Sequence, residues 1–222
     1  FQNGRAARRR FLYHLGMARA RVLLLGDSAR LAVQDRLAKL LTEDGLEVVG
    51  PAATCGDAPA LAAGVAAWAD EFKPDIACFG CGPWATEHLL RVVNAGGAEA
   101  AAFEPLPMAD FERALMDTVT ALQRWCGRQV VYYTTPPVHP GRVSKVSGSA
   151  DFGHHVNRWI AEYNQQATGL LGELNVGHAD VYHDLAPHDE DGLAADGVTL
   201  TSAGVEIAAR VMAKGIYGVV HP

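Results

Sequence analysis

The fold is decided by the stretch Arg21-Val22-Leu23-Leu24-Leu25-Gly26-Asp27-Ser28, an apolar run that ends abruptly in Gly-Asp-Ser. A helical pattern starts at once with Ala29, so the stretch predicts a strand, a tight turn and a helix. Ser28 would then lie at a helix N-terminus, where free backbone N–H groups and the helix dipole favour a developing anion. This position suits a nucleophilic serine if a base and oxyanion donors come from elsewhere. The alternative is that Ser28 only N-caps the helix.

Strands alternate with helices along the rest of the chain. Four more β-rich runs predict strands at Leu46–Val49, Ile76–Phe79, Gln129–Thr134 and Ala179–Tyr182. Helices are predicted at Leu31–Leu41, Ala58–Phe72, Thr86–Val93, Met108–Cys126, Phe152–Leu174 and Ser202–Lys214, with long loops at 135–151 and 183–201. This alternation is typical of an α/β protein, here a three-layer α/β/α, flavodoxin-like fold with a five-stranded parallel sheet. Ligands in such sheets bind at the carboxyl ends of the strands, so we expect function there.

Charge is distributed unevenly along the 222 residues, which carry a net charge of −6. The first 26 residues contain six arginines and no acidic residue, whereas the remainder holds 13 basic and 25 acidic side chains. We therefore expect a basic N-terminal arm (1–20) followed by a single domain (21–222). The acidic body argues against nucleic acid as the main ligand.

The basic arm has several readings. It can dock on an acidic protein partner or on anionic lipid, it can be a solvated tail, or it can be the end of an organelle transit peptide. The chain contains no apolar run near the roughly 18 residues that span a bilayer, so we predict no transmembrane segment. The expected location is soluble, either organellar or cytoplasmic.

The four cysteines do not form a disulfide framework in a chain of this length. Cys78 and Cys81 have the C-x-x-C spacing of a redox motif, but one such pair cannot supply the four ligands of a zinc site. Buried thiols without a metal are the prediction. No glycine-rich nucleotide motif follows the first strand, so we predict no cofactor. A flavodoxin-like binder of a small ligand stays open as a minor alternative.

Several blocks, in order, resemble the SGNH (GDSL-like) serine hydrolases over roughly residues 21–216. They are Gly26-Asp27-Ser28, Cys55-Gly56-Asp57, Pro74-Asp75-Ile76 leading to Gly82, Thr135-Pro136-Pro137, the helical stretch 157–164, and the stretch 196–204. The resemblance implies acyl transfer, usually the hydrolysis of an ester or the removal of an acetyl group. It also implies that Ser28 is the nucleophile and that Asp196 orients a histidine three residues later. The oxyanion hole would consist of the amides of Ser28 and Gly56 and an asparagine side chain.

Two of the four signature residues are absent. Where the family has Gly-x-Asn-Asp, this chain has Gly82-Pro83-Trp84-Ala85, so Trp84 takes the place of the oxyanion asparagine. Its indole donates one hydrogen bond but is bulky and differently aimed. Where the family has Asp-x-x-His, the chain has Asp196 followed by Thr199. A threonine hydroxyl does not accept a proton at neutral pH as an imidazole does.

These losses predict a poor enzyme. Removing one oxyanion donor lowers kcat by about 100- to 1,000-fold, and removing the base of a serine hydrolase by about a million-fold. We therefore expect a hydrolase-fold protein without esterase activity that serves as a structural or accessory subunit of a larger assembly. Its pocket would still accept a small acyl or anionic ligand. The alternative is an active esterase with a relocated base, for which the candidates are Asp57, a weak base, and His139, His154, His155, His183 and His188.

Overall fold

A five-stranded parallel sheet forms the centre of the computed structural model, which describes residues 20–221. Its strands are β1 (Ala20–Leu25), β2 (Leu46–Val49), β3 (Ile76–Phe79), β4 (Val130–Tyr133) and β5 (Gly177–Ala179). Their order in the sheet is β2-β1-β3-β4-β5, with every neighbouring pair parallel. The predicted α/β/α architecture is therefore confirmed. The predicted N-terminal arm lies outside the described residues, apart from Ala20, which begins β1.

Ten α-helices connect or flank these strands within residues 20–221. They are α1 (Ser28–Thr42), α2 (Ala58–Phe72), α3 (Thr86–Ala95), α4 (Gly97–Ala101), α5 (Met108–Cys126), α6 (Pro140–Ser147), α7 (Phe152–Glu173), α8 (Val181–Leu185), α9 (Asp189–Gly192) and α10 (Ser202–Val220). None of them is long and apolar enough to cross a membrane.

The predictions were wrong in two regions. Residues Val181 and Tyr182, expected in the last strand, begin α8, because the Asp180 carboxylate accepts a hydrogen bond from the His183 amide and so caps a helix there. The regions 135–151 and 183–201, expected as loops, contain α6, α8 and α9. Helix α6 starts at Pro140, a residue whose fixed φ suits the first turn of a helix.

Both faces of the sheet are buried, which explains the unbroken apolar run of β1. Leu23 and Leu25 point into a core formed with α2, α5 and α7, whereas Val22 and Leu24 point into a core formed with α1 and α10. None of these four side chains has any solvent exposure. Because successive residues of a strand face opposite sides, a strand covered by helices on both sides has to be apolar at every position.

The order in which the chain adds strands to the sheet changes direction at β1. From β1 it passes to β2 on one side, and it then returns to β3 on the other. Leu25 at the end of β1 lies opposite Phe79 at the end of β3, so the turns that follow these two strands are neighbours. Such a switch point leaves a crevice between the two connections. The Ser28 turn and the 80–84 turn both open onto it.

Candidate active site

Ser28 is the first residue of α1, as the sequence predicts, but it is not the helix cap. Asp27 is the N-cap: its backbone is extended, and its Oδ1 accepts a hydrogen bond from the Ala29 amide at 3.0 Å. The reading of Ser28 as a capping residue is therefore wrong. A neighbouring carboxylate does the capping, because an Asp side chain at this position reaches the free N–H groups of the first turn.

Asp27 also fastens the Ser28 turn to the start of α3. Its Oδ2 accepts hydrogen bonds from the hydroxyl of Thr86 and from the Thr86 amide, the latter at 3.1 Å. Asp27 is 8% exposed, and this burial raises its pKa above the usual value despite the opposing hydrogen bonds from Thr86 and Ala29. The negative charge of Glu87 adds to the increase. The carboxylate is therefore part of the framework that holds the turn.

The loop that carries Gly56 is bonded directly to the Ser28 turn. The Cys55 amide donates to the Gly26 carbonyl at 2.8 Å, and the Gly26 amide donates to the Cys55 Sγ at 3.4 Å. Gly56 has a φ of +76°, a conformation that L side chains rarely adopt. Asp57, a candidate base, caps α2 by accepting a hydrogen bond from the Ala60 amide at 3.1 Å.

Trp84 is a core residue of an aromatic cluster. Its side chain is 5% exposed, and its ring centroid lies 5.0 Å from that of Phe103 and 6.0 Å from that of Trp159. Phe152 extends the cluster on the far side of Phe103. The aromatic cluster joins α3, α6 and α7 in a third hydrophobic core.

The glycine that directly follows β3 is Gly80, just as Gly26 directly follows β1. Counted from Gly80, the asparagine position of the Gly-x-Asn-Asp block falls on Gly82 instead of Trp84. A Cβ added at Gly82 would lie 3.0 Å from Thr135 Oγ1, so the side chain of Thr135 occupies much of that space. In either register the asparagine position of this block holds another residue.

Asp196 and Thr199 form a closed local pair. The Thr199 hydroxyl donates to Asp196 Oδ2 at 2.7 Å, and the amides of Val198 and Thr199 each donate to Oδ1 at 2.8 Å. Burial raises the pKa of Asp196, but these hydrogen bonds outweigh it and hold the pKa below its usual value. The carboxylate expected to orient a histidine is thus engaged by a threonine and two backbone amides.

The candidate histidines are bound elsewhere or exposed. The His139 ring lies between Glu190 (Nε2 to Oε1, 2.9 Å) and the Arg142 amide, which donates to its Nδ1 at 3.3 Å. The His183 Nδ1 is 2.7 Å from Asp180 Oδ2, on an exposed side chain. The remaining three, His154, His155 and His188, are exposed. Within residues 20–221, no hydrogen bond joins any of these rings to Ser28.

Two features escaped the sequence analysis. One is the Asp180–His183 pair, which has the Asp-x-x-His spacing that the stretch from Asp196 to Thr199 lacks. The other is Arg30, a charged side chain with no solvent exposure. It shares the buried face of α1 with Val33 and Leu37. Its signal is a charged residue at a helical spacing otherwise filled by apolar residues.

All four cysteines are free and buried, as predicted. Burial raises the pKa of each thiol, in the case of Cys126 to about 12. The described part of the chain has no group of three or more His, Cys, Asp or Glu side chains that is arranged to hold a metal ion.

No family model matches the chain, and no curated protein matches it in sequence. Solved structures do match. A lipase/acylhydrolase from Enterococcus faecalis is 16% identical and superposes with a TM-score of 0.64 over 90% of this chain and 96% of its own. A catalytic mutant of an acetylxylan esterase from Geobacillus stearothermophilus has the same identity, coverage and TM-score. A candidate SGNH hydrolase from Slackia heliotrinireducens is 25% identical, with a TM-score of 0.58 over 88% of this chain and 98% of its own.

These likenesses extend over nearly the whole described sheet and its helices, and the Gly-Asp-Ser turn occupies the switch point of the sheet. The chain therefore has the fold of the SGNH hydrolases.

Proposed function

We propose that this protein uses the SGNH hydrolase fold without efficient ester hydrolysis and serves as a structural or accessory subunit of a larger assembly. The observation that carries the proposal is the Asp196–Thr199 pair. A base three residues after Asp196 would need an imidazole that receives the Ser28 proton. The hydroxyl of Thr199 instead donates a hydrogen bond to the carboxylate, and a hydroxyl is too weak a base to take the Ser28 proton at neutral pH.

The missing asparagine supports the same conclusion. Trp84 is packed among Phe103 and Trp159, and Gly82, the other position for the asparagine, has no side chain. An oxyanion hole here would have to rely on backbone amides alone. Loss of one donor lowers kcat by about 100- to 1,000-fold even when the base is present.

The direct test is reactivity of Ser28. Purified protein is treated with a fluorophosphonate probe and assayed against a panel of acyl esters, with Ser28→Ala as the matched control. We expect labelling that is slow compared with an active esterase and no turnover above that of Ser28→Ala. Rapid labelling together with turnover that Ser28→Ala abolishes would refute the proposal.

Restoring the missing groups tests whether the scaffold is still competent. Thr199 is exposed, so Thr199→His should fold. Trp84→Asn removes a buried aromatic side chain, a change that destabilises proteins by about 3–5 kcal/mol. A second variant, Gly82→Asn with Thr135→Ala, removes the hydroxyl that would meet the new side chain and leaves the aromatic cluster in place. We expect esterase activity when Thr199→His is combined with Trp84→Asn or with the changes at Gly82 and Thr135.

The partner of the proposed subunit is an acidic protein surface contacted by the basic residues 1–20. The chain is compared with a version that starts at Ala20 in size-exclusion and crosslinking experiments on native extracts. We expect the longer chain alone to elute in a larger complex, and we expect added salt to dissociate that complex. Identical elution of both versions would contradict this part of the proposal.

A second candidate function is an esterase with a relocated base, and the Asp180–His183 pair favours it. A carboxylate at 2.7 Å from Nδ1 fixes the ring with its proton on Nδ1 and leaves Nε2 free to accept a proton, as the acid of a catalytic triad does. If His183 is the base, His183→Ala abolishes any ester turnover, whereas His154→Ala, a change at another exposed histidine, leaves it intact.

A further inference from the structure

Arg30 is a fully buried cation with neutral partners. Its Nη1 donates to Gln34 Oε1 at 2.6 Å and to the Pro51 carbonyl at 2.9 Å, and its Nη2 donates to the Ala53 carbonyl at 2.5 Å. Its Nε has no hydrogen-bond partner among residues 20–221. Burying a charge without a counter-ion is unfavourable, so a site that holds one has to compensate it through well-placed acceptors.

Two of these acceptors belong to the loop that follows β2, and the third lies on α1. Arg30 comes two residues after Ser28, and Pro51 and Ala53 belong to the loop that leads to Gly56. The same loop is held a second time at Cys55, which exchanges hydrogen bonds with Gly26. The segment from 51 to 55 is therefore fastened to the Ser28 turn at both of its ends.

We infer that Arg30 is a positioning residue for the Ser28 pocket: its guanidinium fixes the 50–57 loop so that Gly56 stands beside Ser28. The side chain acts through the loop and does not itself touch a ligand. The inference rests on the proposed function in one respect: it assumes that the protein keeps the arrangement of Ser28 and Gly56 although it lacks the catalytic base.

The geometry requires an arginine. Two nitrogens of the guanidinium reach three acceptors on two separate segments, Gln34 on α1 and the carbonyls of the loop. The single ammonium nitrogen of a lysine cannot take the positions of both Nη1 and Nη2. Arg30→Lys preserves the charge and breaks this geometry, so it separates the two contributions.

The experiment measures the rate at which a fluorophosphonate modifies Ser28. Samples taken over one night are analysed by intact-protein mass spectrometry, and Ser28→Ala is the blank. Modification generates an oxyanion-like centre, and a displacement of about 1 Å in such a site lowers rates by about 100-fold. We expect Arg30→Lys to slow modification by about 10- to 100-fold. The matched control is Arg36→Lys, the same change on the same helix, where the arginine pairs with Glu206 away from the loop. It should leave the rate unchanged.

A second measurement distinguishes positioning from loosening of the fold. Cys55 is 3% exposed, so general opening of the loop would make its thiol reactive toward a disulfide reagent. We expect slower Ser28 modification with an unreactive Cys55, although the melting temperature falls because buried acceptors lose their donor. If Arg30→Lys does not fold, Gln34→Leu removes one of the three acceptors, and a rate reduced by about two- to tenfold is expected.

Equal rates for Arg30→Lys and wild type overturn the inference. If wild-type Ser28 stays unmodified overnight, as loss of the base alone would cause, the two rates are compared in the Thr199→His background, and equal rates there also overturn the inference. Rapid wild-type modification with turnover refutes the proposed loss of catalysis but leaves the ratio between wild type and Arg30→Lys as a valid test.

Discussion

Removing the Asp196 carboxylate should destabilise the protein. Asp196→Ala eliminates the acceptor of three hydrogen bonds, from the Thr199 hydroxyl and from the amides of Val198 and Thr199. Thr199 is exposed, so water replaces part of what is lost, and we take about 0.5–1 kcal/mol for each bond. The expected loss is about 1.5–3 kcal/mol, which lowers the Tm of a chain of this size by about 3–12 °C.

The effect has a defined pH dependence. The pKa of Asp196 is lower in the folded protein than its ordinary value of 3.8. A depressed carboxyl pKa stabilises the folded state above the unfolded pKa, and this contribution disappears as the pH falls through the folded pKa. The difference in Tm between wild type and Asp196→Ala should therefore be constant near neutral pH and shrink below about pH 4.

The assay is thermal unfolding followed by circular dichroism across this pH range. Asp184→Ala is the control, since it removes an exposed carboxylate from the same region of the chain. A Tm for Asp196→Ala equal to that of wild type at neutral pH would refute the reasoning. It would mean that the hydrogen bonds to the Asp196 carboxylate do not stabilise the loop.

Three further predictions follow from burial and charge. All four thiols should resist a disulfide reagent in the folded protein at mildly alkaline pH and react on unfolding, since burial raises their pKa, that of Cys126 to about 12; a fast-reacting native thiol would contradict this. Two arginines lower the pKa of Glu206 to about 2, so its carboxyl resonance should titrate near that value in NMR, and Arg36→Ala should move the midpoint up toward 4.5. Gly26→Ala should prevent folding or lower the Tm sharply, because a Cβ there would lie 1.9 Å from Tyr133 Oη; a soluble variant with wild-type Tm would show that the turn relaxes.

The strands of the sheet could be predicted from the sequence because they are buried on both sides and are therefore apolar at successive positions. Leu46–Val49 and Ile76–Phe79 are strands with the predicted bounds, and Ala58–Phe72 and Met108–Cys126 are helices with the predicted bounds. Long apolar periodicities and sharp Gly or Pro boundaries determine such elements locally.

The short helices after β4 and β5 were not predictable in the same way. Helix α6 spans Pro140–Ser147 in a Pro-, Gly- and Ser-rich stretch, and what caps it is His139, whose ring is placed by Glu190. Helix α8 depends on the Asp180 side chain, which also accepts a hydrogen bond from Thr134 at the end of β4. In both helices the cap is local, but the capping side chain also contacts a residue far away in sequence, and local patterns do not contain that second contact.

The sequence indicates candidate residues for the site, and their surroundings were not predictable from it. The sequence identified Ser28, Gly56, Asp196, Thr199 and Trp84, but burial of Trp84 among aromatic rings depends on α7 and on the stretch around Phe103. Arg30 was missed because two of its three acceptors are backbone carbonyls, which leave no trace in the sequence.

The contact between Asp196 and Thr199 spans only four residues of chain, and backbone hydrogen bonds from His139 to Gly197 and from Ala194 to Thr199 hold the same loop. The shape of that loop is consequently independent of whether any reaction takes place beside it. Exchange of the exposed Thr199 therefore changes the chemistry that this position offers, while the backbone hydrogen bonds of the loop remain.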